Sequence, residues 1–158
     1  MSNAIDQHDA MNQCGATAVR DLQWIAPGAL TVDQVLQLSP GVLAYIGDAV
    51  YELYVRSTLL FPVKPIDRYH RQVVKQVCAA GQVEQISRWL NHLDESEKEM
   101  VRRGRNSAVG ASRKANPQQY RKATGLETLV GYLYLTNPDR LEQLWQYLDF
   151  SVESSAAP

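Results

Sequence analysis

SPGVLAYIGDAVYELYVRSTLL, residues 39–60, is the stretch on which the fold turns. Ser39 is a good N-cap, its hydroxyl able to accept a backbone N–H of the first turn, and Pro40 follows at the first helical position, where a missing N–H costs nothing. Apolar residues then recur on nearly every side of the predicted helix, which places it at the centre of a fold. One residue does not suit that setting. Asp48, preceded by Gly47, is an ionisable group inside an apolar helix.

The neighbouring segments also read as helices. Thr31 caps a short one over Val32–Leu38. Phe61, Pro62 and Pro65 end the central helix, and Ile66, Tyr69, Val73, Val74 and Val77 open a long helical region that continues through Ile86, Trp89 and Leu90, with Gly81 as the point where it would kink or split. Asp94 followed by Glu97 has the spacing of a capping box and starts a helix running to about Arg105. NSAVGASRKANP is a flexible loop by composition, and Asn116–Pro117 starts QQYRKATGLETLVGYLYL, a second apolar and central helix. Pro138 starts the last, with Leu141, Leu144, Trp145 and Leu148 on one side. No alternation of strand type and no internal repeat is visible, so the expectation is an all-α protein with a flexible lead-in at 1–24, one domain at 25–150 and a disordered tail at 151–158.

Composition narrows the function classes. The 158 residues are 45% hydrophobic and 21% charged, ordinary for a globular domain large enough to bury a core without disulfides. Two distant cysteines, Cys14 and Cys78, make neither a disulfide framework nor a zinc pattern, and no apolar run approaches a membrane span. The expected home is the cytoplasm. A net charge of −1 hides an asymmetry: Lys98, Arg102, Arg103, Arg105, Arg113, Lys114, Arg121 and Lys122 carry half of the 16 basic residues, against Glu99 alone in that window.

Glu127 in TGLETLVGYLYL is the counterpart of Asp48, a carboxylate in a helix that reads as buried. Burying an unpaired carboxylate costs several kcal/mol, so each must face a cation, hydrogen-bond donors or solvent, and a structural salt bridge is the commoner solution. Gly47, and Gly125 two residues before Glu127, suggest a close helix crossing that would bring the carboxylates together. Two hard oxygen ligands completed by waters and phosphate oxygens suit magnesium and metal-assisted phosphodiester hydrolysis.

SPGVLAYIGDAVYELYV resembles the signature helix of ribonuclease III, and TGLETLVGYLYL resembles that family's second catalytic helix. AYIGDAVYE, then RRGRN, then a loop, then YRKATGLETLVGYLYL are similar in order and spacing to the compact branch, Mini-ribonuclease III, over about residues 34–150. The resemblance implies the all-α fold of a ribonuclease III endonuclease domain and an endoribonuclease that cleaves double-stranded RNA, leaving 5′-phosphate and 3′-hydroxyl ends. It implies Asp48 and Glu127 as catalytic and metal-binding residues with magnesium as cofactor. Two other acidic positions of the larger enzymes are filled by Ala44 and Thr124, as in the compact branch, so fewer charges should hold the metal and substrate phosphates should contribute more. Arg102, Arg103, Arg105, Arg113 and Lys114 are the RNA-contacting candidates, reading backbone and A-form shape rather than sequence. With eight residues after Phe150, no separate double-stranded-RNA-binding domain is expected. The resemblance further implies a homodimer, a 23S ribosomal RNA precursor as substrate, and a ribosomal protein as candidate partner. The competing expectation is a catalytically inactive RNA-binding protein of the same fold.

Other residues carry blander expectations. Glu52, one turn after Asp48, suits an orienting salt bridge, and the Thr124 hydroxyl suits a bond within its own helix. His70 and His92 have no second ligand at metal spacing. Trp89 and Trp145 belong to core or interface, and Cys78, between Val77 and Ala79, reads as a small buried hydrophobe.

Overall fold

A computed structural model describes residues 30–108, 110 and 116–150, so the expected lead-in, the tail and the centre of the glycine-containing loop lie outside the described residues. Among the described residues seven α-helices follow one another: α1 (Val32–Leu36), α2 (Pro40–Thr58), α3 (Ile66–Val77), α4 (Ala79–Trp89), α5 (Glu95–Ser107), α6 (Pro117–Thr136) and α7 (Pro138–Trp145), with a 3₁₀ turn at Leu90–His92. The described residues contain no strand, as expected of an all-α protein. None of their helices is long and apolar enough to cross a membrane.

Local chemistry sets the helix starts. The Ser39 hydroxyl accepts from Val42 N at 3.3 Å, and the Asn116 and Asn137 side chains each accept a backbone N–H at 3.1 Å ahead of a proline-led helix. The capping box at α5 is formed in full: Asp94 Oδ1 accepts from Glu97 N at 2.8 Å, and Asp94 N donates to Glu97 Oε2 at 2.9 Å. Glu97 is only 2% exposed, and its charge is met by the Arg140 guanidinium, whose Nε and Nη2 donate at 2.7 and 3.0 Å. Arg140 Nη2 also donates to His92 O at 2.6 Å, so one side chain ties α7 to α5 and the 3₁₀ turn.

Helix α6 is the axis of the fold, packed against α2, α5 and α4. Leu126, Leu129 and Val130 on α6 share the core with Leu43, Tyr51 and Val55 on α2, all fully buried, together with Trp89 and Leu144. The long third helical region is two helices rather than one, and the break falls at Cys78, whose backbone is extended (φ −69°, ψ 158°). Gly81 makes the tight corner possible: a Cβ there would collide with the last carbonyls of α3, at Lys75 and Gln76. Standing at this corner, Cys78 is exposed rather than buried, its thiol donating to Lys75 O at 3.3 Å.

Candidate active site

The site begins at a crossing of α2 and α6 in which backbone touches backbone. A Cβ on Gly47 would collide with the Glu127 carbonyl oxygen and lie 2.7 Å from Gly131 N, and one on Gly131 would collide with the Leu43 carbonyl oxygen. Each helix therefore supplies one glycine to the contact. Gly47 has the close-approach role expected of it, whereas Gly125 faces α5, where an added Cβ would lie 2.9 Å from Arg105 Cγ. Gly131, not Gly125, is the partner of Gly47.

This contact sets the two carboxylates side by side. Asp48 follows Gly47 and is exposed, and Glu127 is half-buried. The Glu127 carboxyl is pushed up to about 7, first by burial and then by the Asp48 charge, while the Gln82 side chain pulls it the other way. Asp48 is also raised, by partial burial and by the nearby Glu52 charge. Among the described residues neither carboxylate has a salt-bridge partner, so the commoner structural explanation for such residues does not apply. Two close carboxylates with no protein cation form a negative site whose repulsion a divalent ion removes.

The flanking positions define what else the site offers. Ala44 is buried, and Thr124 donates its hydroxyl to Tyr120 O at 3.0 Å within its own helix. Glu52 accepts from Arg56 Nε at 3.1 Å in an exposed i, i+4 pair, the orienting role expected of it. No group of three or more His, Cys, Asp or Glu side chains suited to a metal occurs among the described residues. Asp48 and Glu127 thus fit a magnesium ion that takes one or two protein carboxylates and completes its shell with water and phosphate oxygens.

Sequence reasoning missed Gln82. It is 2% exposed, on the face of α4 that packs against α6 and approaches Glu127. The signal was present: Gln82, Gln85, Ile86 and Trp89 share the i, i+3, i+4, i+7 face, so two amides occupy core positions.

Of the basic residues, Arg102 is exposed and held by Glu99 through Nε at 2.6 Å, and Arg105 is exposed with its stem against Gly125 on α6. Arg103 is half-buried on the same helix. Arg113 and Lys114 lie outside the described residues.

Residues 41–138 match the ribonuclease III domain family. A Mini-ribonuclease 3 of Synechocystis sp. is 54% identical over 110 residues, covering 70% of this chain and 77% of the relative. Those of Thermosynechococcus vestitus and Thermoanaerobacter sp. are each 45% identical, covering 75% and 78% of this chain and 78% and 87% of theirs. In shape the chain is similar to the crystal structure of protein FN1578 from Fusobacterium nucleatum, with a TM-score of 0.62 at 29% identity over 70% of this chain and 88% of that one. On this sequence and structural likeness, the chain belongs to the ribonuclease III family and, within it, to the Mini-ribonuclease 3 branch.

Proposed function

We propose that the chain is a magnesium-dependent endoribonuclease that cleaves double-stranded RNA, with Asp48 and Glu127 holding the ion. The observation that carries this reading is the juxtaposition of two carboxylates, unpaired with any cation among the described residues, at a glycine-lined helix crossing. Bound there, magnesium would supply positive charge at the scissile phosphate and lower the cost of ionising an attacking water. Hydrolysis with the 3′ oxygen leaving gives 5′-phosphate and 3′-hydroxyl ends.

The protein's own groups divide the remaining work. Asp48, exposed, meets an approaching RNA backbone, while half-buried Glu127 is fixed by the packing of α6. Glu52, restrained by Arg56, adds negative charge beside Asp48 and strengthens the demand for a cation. Arg102, Arg103 and Arg105 on α5, with Arg113 and Lys114 after it, supply phosphate contacts whose affinity comes from counterion release and carries no sequence information. The Arg102–Glu99 pair is exposed and weak enough to exchange for a phosphate.

The same reading includes a two-fold homodimer. Tyr45, Phe61 and Val63 are 81%, 76% and 84% exposed, and Val42, Tyr45, Ala49 and Leu53 form an uncovered stripe along α2. Beside it, Leu60, Phe61, Val63, Ile66 and Tyr69 line an apolar cleft. Apolar surface of this extent on a central helix suits a second copy, and two-fold symmetry would give each strand of a duplex its own site. A 23S ribosomal RNA precursor as substrate, a ribosomal protein as partner and the cytoplasm as location follow from the family resemblance.

Cleavage of an internally labelled RNA duplex tests the reading, with magnesium, with EDTA and with Asp48→Asn in parallel. Cutting that requires both magnesium and Asp48 is expected. Binding without cutting under every condition would overturn it in favour of an inactive RNA-binding protein, with Ala44 and Thr124 as the reason.

A further inference from the structure

Two glutamines occupy core positions of α4, and they are not equivalent. Gln85 is satisfied: its Nε2 donates to Asp149 O at 2.9 Å and to Gln76 Oε1 at 3.3 Å, and its Oε1 accepts from Asp149 N at 3.2 Å. Gln82, one turn earlier and equally buried, has no acceptor at full hydrogen-bond geometry for Nε2 among the described residues. A buried amide donor without an acceptor lowers stability, and a leucine of similar volume would avoid the loss. The Gln82 side chain engages the Glu127 carboxylate across the α4–α6 packing closely enough to lower its pKa by hydrogen bonding, yet Nε2 meets no acceptor at full hydrogen-bond geometry among the described residues. Gly81, immediately before it, fixes the corner that starts α4 and so restricts where Gln82 can reach.

We infer that Gln82 is a positioning residue for the reaction, its buried Nε2–H held ready to donate to the Glu127 carboxylate and fix its orientation when Asp48 and Glu127 share a cation. The inference rests on the reading of those two carboxylates as cation ligands. It accounts for a buried donor that engages Glu127 only in part, the bond closing in full once the carboxylate is fixed. Hydrogen bonds behind a ligand orient it and raise its affinity for metal, and losing one typically costs 10–100-fold in metal affinity or activity.

The test uses the full chain and manganese as the probe, its binding followed by electron paramagnetic resonance. Wild type, Gln82→Leu, Gln82→Met and Glu127→Gln are compared, together with metal-free thermal unfolding and steady-state cleavage of an RNA duplex. Gln82→Leu and Gln82→Met should each bind manganese about tenfold more weakly and lose at least about tenfold in kcat, with KM little changed. Their metal-free melting temperatures should equal or exceed that of wild type, the opposite of what loss of a purely structural amide would do. Wild-type manganese affinity in both Gln82 variants, with affinity lost in Glu127→Gln, would overturn the inference alone. Failure of both variants to fold would make Gln82 structural and overturn it as well. Manganese bound equally by Glu127→Gln and wild type would instead overturn the reading of the carboxylates as ligands, and the inference with it.

Discussion

Glu127 holds its proton to about 7 in the folded chain, against 4.5 for a free glutamate, because α6 buries it and Asp48 repels its charge. The sign of the consequence follows from linkage. Between those values the folded state keeps a proton that the unfolded chain releases, so this contribution to metal-free stability is complete below about pH 4.5 and is lost as pH rises through 7. Discounted for partial exposure it is on the order of 2 kcal/mol. Metal-free Glu127→Gln should therefore melt about 5 °C above wild type at pH 8 and close to it at pH 5, as read by differential scanning calorimetry. Equal melting temperatures at both pH values would mean that Glu127 is not held in this environment. Magnesium competes with the same proton, so its affinity should tighten from pH 6 to pH 8.

At the scale of elements, the α2–α6 contact leaves no room for a side chain at Gly47 or Gly131. Gly47→Ala forces the helices apart at the Glu127 carbonyl, and overpacking of this kind costs about 3 kcal/mol. Urea unfolding should show that loss, and the folded fraction should bind manganese poorly because the carboxylates have separated. Wild-type stability in the Gly47→Ala variant would show that the crossing can open without penalty. Such contacts also explain which elements were legible in the sequence. Helix starts at Ser39, Asp94, Asn116 and Asn137 depend on hydrogen bonds within three residues, so local spacing reveals them. The role of Gly131 depends on Leu43, far away in the chain, and no local spacing distinguishes it from Gly125. The break at Cys78 was missed for a related reason: Gly81 drew attention as a kink, while the turn it permits lies three residues earlier.

For the whole molecule, the uncovered apolar surface is the feature with the widest reach. Tyr45→Asp and Phe61→Asp place charge on that surface without touching the core. Sedimentation velocity should show wild type as a dimer and both variants as monomers, with coordinated cutting of the two strands lost. A monomeric wild type that still cuts both strands together would refute the two-fold reading. The all-α fold was legible because the ribonuclease III motifs occur in order, and Asp48 and Glu127 stand out as site candidates because a carboxylate inside an apolar helix is conspicuous. Gln82 was not, because an amide in a helical pattern shows neither its burial nor its approach to Glu127 until α6 is placed against α4.

The crossing of α2 and α6 also bears on how genetics would see this protein. A random-mutagenesis screen for lost function should return Gly47 and Gly131 as often as Asp48 and Glu127, although neither glycine has a functional group to offer. Replacing helical glycine by alanine, a standard route to a hardier protein, is closed at these two positions. Tolerance to substitution here reports the thickness of a gap between two backbones, so a map of intolerant sites would mark spacers and the carboxylates they set together alike.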